Sequence, residues 1–148
     1  MAKIIKYVSA YLMWIVDLGL TFWLIFISRT VFLGIFALFY KEGEWVYSRR
    51  VDLADKVFVL ILGLGWLVFM IVAEAYFRAG ALRDDLFERF ARITGPVLLG
   101  IFGVDLILFW LQGVGGGDWL RWSILAAELG IGIALLVSAR PQSKPDPT

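Results

Sequence analysis

Five ionisable side chains lie inside long apolar stretches of this chain. Each of the four longest apolar segments carries one acid, and the first also carries a base: Asp17, Arg29, Glu74, Asp105 and Glu128. Glu128, for example, lies near the middle of SILAAELGIGIALLV, residues 123–137. A charge at the centre of a bilayer costs roughly 2.5–3.5 kcal/mol on insertion scales, so such residues usually face protein or water. The pattern predicts either an ion-pair network between helices or a pathway for protons or cations.

The depth of each charge indicates which of them can meet. Asp105 and Glu128 fall near the midpoints of their segments, whereas Asp17 and Glu74 fall toward the side on which the chain starts. Arg29 lies at the centre or somewhat beyond it, and its long stem reaches a carboxylate one turn away. We therefore expect Arg29 to pair with Asp105 or Glu128 in a buried, hydrogen-bonded ion pair. We favour a network that fixes helix register over an ion pathway.

The composition is that of an integral membrane protein. Of 148 residues, 61% are hydrophobic and 18% are charged, and the mean hydropathy is +0.83. A soluble domain averages about 45–50% apolar and about 25% charged residues. Lipid admits only helices or closed barrels, and these segments lack two-residue alternation. The sequence predicts an all-α bundle of four transmembrane helices, in one domain over 1–140, at 8–40, 57–77, 96–111 and 119–139.

The first segment leaves two arrangements open. As one helix, residues 8–40 would run to roughly 50 Å, against a hydrocarbon core of about 30 Å. It is either one long tilted helix or an interfacial helix that breaks near Gly19 and is followed by a span, and both cross the membrane once. Asp17, Thr21 and Ser28 share one side of this segment. We expect no cleaved signal peptide here, because the stretch is too long and lacks a small-residue cleavage site.

The segment 81–93 is predicted to form a short amphipathic cytoplasmic helix between the second and third spans. Its apolar residues recur at helical spacing, at Leu82, Leu86, Phe90 and Ile93. Two i,i+4 ion pairs, Asp85–Arg89 and Glu88–Arg92, support it. It either lies on the membrane or extends the second span, and an interfacial connector is favoured over a docking helix.

The ends of the fourth segment carry further signals. Asp118, after a glycine-rich link, is placed to cap the helix. Tryptophans at headgroup depth predict an aromatic belt at Trp110, Trp119 and Trp122. The tail, residues 141–148, is polar and proline-rich, which predicts disorder.

The fourth segment carries a predicted helix-packing ridge. Small residues recur every four positions, at Ala126, Gly130, Ala134 and Ser138. Such a ridge lets helix backbones approach closely. Glu128 points roughly to the opposite side, so this helix is expected to contact protein on both faces, which a second chain achieves most easily.

Residue types absent from the chain exclude several kinds of chemistry. It has no cysteine and no histidine, which excludes disulfides, thiolate nucleophiles, iron–sulfur clusters and the usual zinc sites. A net charge of +1 without a basic tract argues against nucleic acid. Aromatic residues crowd the first segment at Phe22, Trp23, Phe26, Phe32, Phe36 and Phe39. A stripe of this kind more often meets lipid or packs than it contacts a quinone or pigment, so no cofactor and no metal are expected.

These features favour a non-catalytic function. We expect a small polytopic subunit that contacts lipid and other transmembrane helices within a larger homo- or hetero-oligomeric assembly. The alternative is a small ion- or proton-coupled channel or transporter that uses Asp105 and Glu128. No nucleophile–base pairing indicates an enzyme.

Orientation follows from the lysine and arginine residues outside the spans. The side with both termini would hold eight, at Lys3, Lys6, Arg78, Arg83, Arg89, Arg92, Arg140 and Lys144. The opposite side would hold five, at Lys41, Arg49, Arg50, Lys56 and Arg121. Because the richer side is usually cytoplasmic, both termini are predicted in the cytoplasm, with the protein in the cell (inner or plasma) membrane.

Reporter fusions test this orientation. Fusions after Arg50 and after Gly116 are expected to read as external, and a fusion after Arg83 as cytoplasmic, because the excess of positive charge stays inside. Alkaline phosphatase and fluorescent-protein reporters at the same sites give opposite signals and control for expression. An external reading after Arg83 means that the orientation is inverted.

Overall fold

Four long helices form the regular structure of the described chain. The computed structural model describes residues 2–39, 49–83, 85–113 and 119–139. The helices are α1 (Ala2–Phe39), α2 (Arg49–Arg83), α3 (Leu86–Leu111) and α4 (Trp119–Ser138). Each is long and apolar enough to cross a membrane. The prediction of an all-helical chain with four candidate spans is confirmed.

The first segment is one continuous helix. α1 contains 38 residues and is therefore about 57 Å long, with no break at Gly19. Of the two arrangements open from sequence, the structure has the single long helix. A helix that exceeds the hydrocarbon thickness by this much tilts or projects beyond it.

The helices pack in the spatial order α2, α1, α3, α4. α1 packs against α2 and α3, and α3 also packs against α4 and, less extensively, α2. Among the described residues α4 has backbone contacts with α3 alone, and no Cα atoms of α1 and α4 approach within 8 Å. The fourth helix is therefore at the edge of the arrangement.

A buried cluster joins α1 to the end of α2 and the start of α3. Its members are Ala10, Ala73, Phe77 and Ala81. Leu86, Phe90 and Ile93 pack against this cluster from α3. These three apolar side chains therefore pack within the helix bundle.

The structure does not support a separate amphipathic helix at 81–93. Ala81–Arg83 end α2, and the residues from Leu86 onward are the first turns of α3, which continues through Pro96. The physical reason is the packing against Phe77, which draws this apolar face into the bundle. Both predicted ion pairs form, with Arg89 Nε 2.9 Å from Asp85 Oδ1 and Arg92 paired with Glu88.

Two glycines bring the backbones of α3 and α4 together. A Cβ on Gly132 would lie 3.0 Å from Leu99 Cδ2 and 3.4 Å from the carbonyl oxygen of Gly95. A Cβ on Gly95 would lie 2.9 Å from Leu136 Cγ and 3.3 Å from the carbonyl oxygen of Gly132. The side of α4 that packs on α3 therefore contains Gly132, and the predicted ridge lies elsewhere on the helix.

Two predictions fall outside the described residues. These are the capping of α4 by Asp118 and the disorder of residues 141–148. The three tryptophans of the predicted aromatic belt are described, and all are exposed, at Trp110, Trp119 and Trp122. The first ends α3 and the other two begin α4, so they lie at the same end of the helix pair.

Candidate functional site

The five charged residues singled out from the sequence lie at four places. Asp17 lies between α1 and α3, and Asp105 and Glu128 lie together between α3 and α4. Arg29 on α1 and Glu74 on α2 lie at two separate places along the contact between α1 and α2. They do not meet in one cluster.

Asp17 is the most deeply buried of these residues. Its side chain is 0% exposed. The hydroxyl of Thr94 on α3 donates a hydrogen bond to Asp17 Oδ1 over 2.7 Å, and Thr94 is itself buried. The second oxygen, Oδ2, has no hydrogen-bond partner within the described part of the chain. A carboxyl group so placed can bind a proton, and it joins two spanning helices.

Further polar contacts surround Asp17 and tie α2 to α1. Thr21 Oγ1 donates to the carbonyl oxygen of Asp17 over 2.7 Å and accepts a hydrogen bond of 3.2 Å from Trp66 Nε1. Trp14 lies one turn before Asp17 on α1, and its Nε1 donates a hydrogen bond of 3.2 Å to the carbonyl oxygen of Met70 on α2. Each of the two indole N–H groups therefore has a hydrogen-bond acceptor inside the protein, as buried tryptophan N–H groups usually do.

Sequence reasoning found only part of this site. The shared side of Asp17 and Thr21 is confirmed, since both are buried. Thr94, Trp14 and Trp66 were missed. Thr94 gave one signal, a polar residue just before the apolar start of the predicted third span. The tryptophans gave none, because a pattern in one helix does not show which indole faces another.

The expected pairing of Arg29 with Asp105 or Glu128 is wrong. Arg29 instead binds Asp55 on α2 in a bidentate pair, with Nε–Oδ1 and Nη2–Oδ2 distances of 2.8 and 2.7 Å. Asp55 was overlooked because it precedes the predicted second span, 57–77. The pairing follows from the antiparallel contact of α1 and α2, which sets Arg29 beside the start of α2.

Glu74 lies apart from the other carboxyl groups. It is half-buried and lines a narrow groove between α1 and α2. Tyr7, Tyr11 and Trp14 on α1 and Arg78 on its own helix line the same groove. The aromatic and basic neighbours differ from those of Asp17 and of the Asp105–Glu128 pair.

Asp105 and Glu128 face each other between α3 and α4. Their carboxyl groups are within hydrogen-bonding reach, and both residues are half-buried. Glu128 Oε2 is buried and lacks a hydrogen-bond partner among the described residues. Two ionised carboxylates at this distance repel each other, so a shared proton or a bound cation would stabilise the pair. No group of three potential metal ligands occurs in the described segments.

A cavity of about 320 Å³ lies beside Asp105, between α1, α3 and α4. Trp23, Phe26 and Thr30 line it from α1, and Arg121 lines it from α4. The guanidinium of Arg121 is held by the side chain of Gln112, with Nη1 2.6 Å from Oε1. The cavity therefore combines aromatic, acidic and basic groups.

The four candidate spans and the polar contacts between them define a class, the multi-pass helical membrane proteins. Comparison of the chain with protein families, curated proteins and solved structures found no match.

Removing the hydroxyl of Thr94 tests the Asp17 site. Thr94→Val is expected to lower the free energy of unfolding by about 1–3 kcal/mol, because it leaves a buried carboxyl group without its hydrogen-bond donor. Adding Asp17→Leu should cost less than the sum of the two single changes, since neither partner then remains unpaired. Denaturant titration in mild detergent, followed by circular dichroism, measures these effects.

Thr30→Val is the matched control. Thr30 is exposed, and among the described residues its hydroxyl bonds only to the carbonyl oxygen of Phe26 in its own helix. Equal losses for Thr94→Val and Thr30→Val would contradict a role for the contact between α1 and α3.

Proposed function

We propose that this protein is a non-catalytic membrane subunit that packs into a larger assembly of transmembrane helices through the outward face of α4. The assembly consists of further copies of the chain or of other membrane proteins. The observation that carries the proposal is the position of α4, which packs on α3 alone in the described chain. The face of this helix that points away from α3 and from the cavity beside α1 is exposed to lipid or to a partner.

The composition of the free surface favours a partner helix. The ridge residues, all exposed, are Ala126, Gly130, Ala134 and Ser138. A Cβ added to Gly130 would meet nothing within 4 Å. Large side chains would fill the space beside lipid equally well, whereas small residues allow another backbone to approach closely.

The ridge is not needed for the fold of the chain itself. α3 packs against the other side of α4, where Leu125 and Gly132 are buried. Glu128 also lies toward α3, because its carboxyl group reaches Asp105. The two faces of α4 therefore serve different contacts, one within the chain and one proposed between chains.

A second candidate function is ion- or proton-coupled transport. It is favoured by one observation, the Asp105–Glu128 pair, whose buried oxygen Glu128 Oε2 lacks a partner in the described chain. Paired carboxyl groups can bind and release a proton or a cation. Asp17 is another buried carboxyl group, but it is not paired with a second acid and lies between α1 and α3.

Enlarging Gly130 tests the assembly. Gly130→Leu is expected to split the assembly into smaller species while the chain keeps its helicity, because the position is open within the chain and crowded only in a close helix pair. Size-exclusion chromatography of mild-detergent extracts measures the shift. The chain has no cysteine, so Ala134→Cys adds a single site for disulfide crosslinking.

Gly65→Leu on α2 is the matched control, since that glycine is also exposed and open. It is expected to behave as the unchanged protein. Gly132→Leu is the opposite control and should disturb the α3–α4 contact itself. A single-chain elution of the unchanged protein, with no co-purifying protein, would overturn the proposal.

Flux measurements separate the two functions. Reconstituted liposomes are expected to show no proton or sodium flux above protein-free liposomes, because an assembly subunit needs no pathway of its own. A flux that is lost in Glu128→Gln but kept in Asp52→Asn, an exposed acid paired with Lys56, would establish the transport function instead. Chromatography of the same variants shows whether each still assembles.

A further inference from the structure

The gap between α1 and α4 encloses a space of ligand size. No Cα atoms of these two helices approach within 8 Å, and α3 forms the floor of a cavity of about 320 Å³ between them. Ligand sites commonly have volumes of about 300–1,000 Å³. The cavity therefore fits a small body such as one ring with a short substituent.

Three aromatic side chains line the cavity, at Trp23, Phe26 and Phe109. Trp23 and Phe26 stack on α1 with ring centroids 6.0 Å apart and an interplanar angle of 24°. Phe109 lines the cavity from α3, and the edge-to-face contact with Trp122, at 5.0 Å, fixes its ring. The π faces of such rings attract cations, and tryptophan attracts them most strongly.

The ionisable groups around the cavity favour a positive guest. Asp105 lines it, and Glu128 stands within hydrogen-bonding reach of Asp105. The basic group that lines it is Arg121, which Gln112 holds. Glu128 does not line the cavity itself, but its carboxyl group adds negative charge behind Asp105, and a cation beside Asp105 would relieve the repulsion between the two acids.

A neighbouring base does not supply that charge. Arg29 precedes Thr30, which lines the cavity, but its guanidinium binds both carboxylate oxygens of Asp55. The ion pairs found in the described segments include neither Asp105 nor Glu128. Asp105 therefore lines the cavity without a salt bridge to any base in the described segments.

We propose that the cavity between α1, α3 and α4 binds a hydrophobic organic monocation, an ammonium group carried on a small apolar body. The ammonium group lies against Asp105, and the apolar body lies against Trp23 and Phe26. The ligand is either a free amine or the headgroup of an ammonium-bearing lipid. The proposal is independent of the assembly through α4, since the ridge lies on the other side of that helix.

Equilibrium binding of labelled benzyltrimethylammonium to the full chain in dodecyl maltoside tests the proposal. Saturable binding of about one probe per chain is expected. Asp105→Asn should weaken it roughly tenfold or more, since it removes the charge that faces the ammonium group. Trp23→Leu should weaken it several-fold, because the cation–π attraction is lost while every charge stays.

Two controls make the result specific. Asp52→Asn removes an acid of the exposed surface and should leave the affinity unchanged. Neopentylbenzene, which has the same shape without the charge, should not displace the probe. Circular dichroism and elution volume establish that each variant is folded, and Trp23→Leu serves if Asp105→Asn does not fold.

The remaining outcomes either locate the source of the ligand or refute the site. Displacement by added phosphatidylethanolamine, but not by phosphatidylglycerol, identifies a lipid headgroup, and no displacement by either identifies a free amine. Absence of saturable binding overturns the proposal. So does equal binding by Asp105→Asn and the unchanged protein, or competition by neopentylbenzene as strong as that by the unlabelled cation.

Discussion

Lipid offers no hydrogen-bond partner, and this constraint governs the polar residues of the bundle. Backbone groups satisfy it by forming helices, and side chains satisfy it by meeting one another. Asp17 accepts the hydroxyl of Thr94, and Thr21 accepts the indole N–H of Trp66. Through these bonds α1 is joined to both α2 and α3. The helix that carries these buried polar groups is therefore fixed to two neighbours by hydrogen bonds.

The same lipid environment allows apolar side chains to remain exposed on the surface of the bundle. Every helix exposes large hydrophobic side chains, among them Phe22, Leu67 and Ile131, because lipid is as apolar as they are. Helix contacts must then come from close packing and polar bonds. The crossing of Gly95 and Gly132 is such a contact, and it places α4 against α3 alone. Both the exposed ridge and the cavity beside α1 follow from this placement.

The acidic residues differ in their surroundings and therefore in what they can do. Asp55 is matched by Arg29, which accounts for both charges. One carboxyl oxygen of Asp17 accepts a hydrogen bond from the hydroxyl of Thr94, and the other has no hydrogen-bond partner among the described residues. Asp105 and Glu128 have each other, an arrangement that leaves negative charge available. The Arg29–Asp55 pair therefore suits a structural role. The Asp105–Glu128 pair lies beside a cavity that is partly lined by aromatic side chains, and it suits the ligand proposed above.

The four helices could be predicted from the amino-acid sequence, because long apolar runs without alternation form helices in lipid. The sequence also predicted that Asp17 and Thr21 share one side of α1 and that the ion pairs at the start of α3 form, because both depend on spacing within one helix. Which helices contact one another could not be predicted in this way and is seen in the folded structure. Arg29 met Asp55, and Gly132 rather than Gly130 met α3, because helix periodicity shows which residues share a face but not which neighbour that face meets.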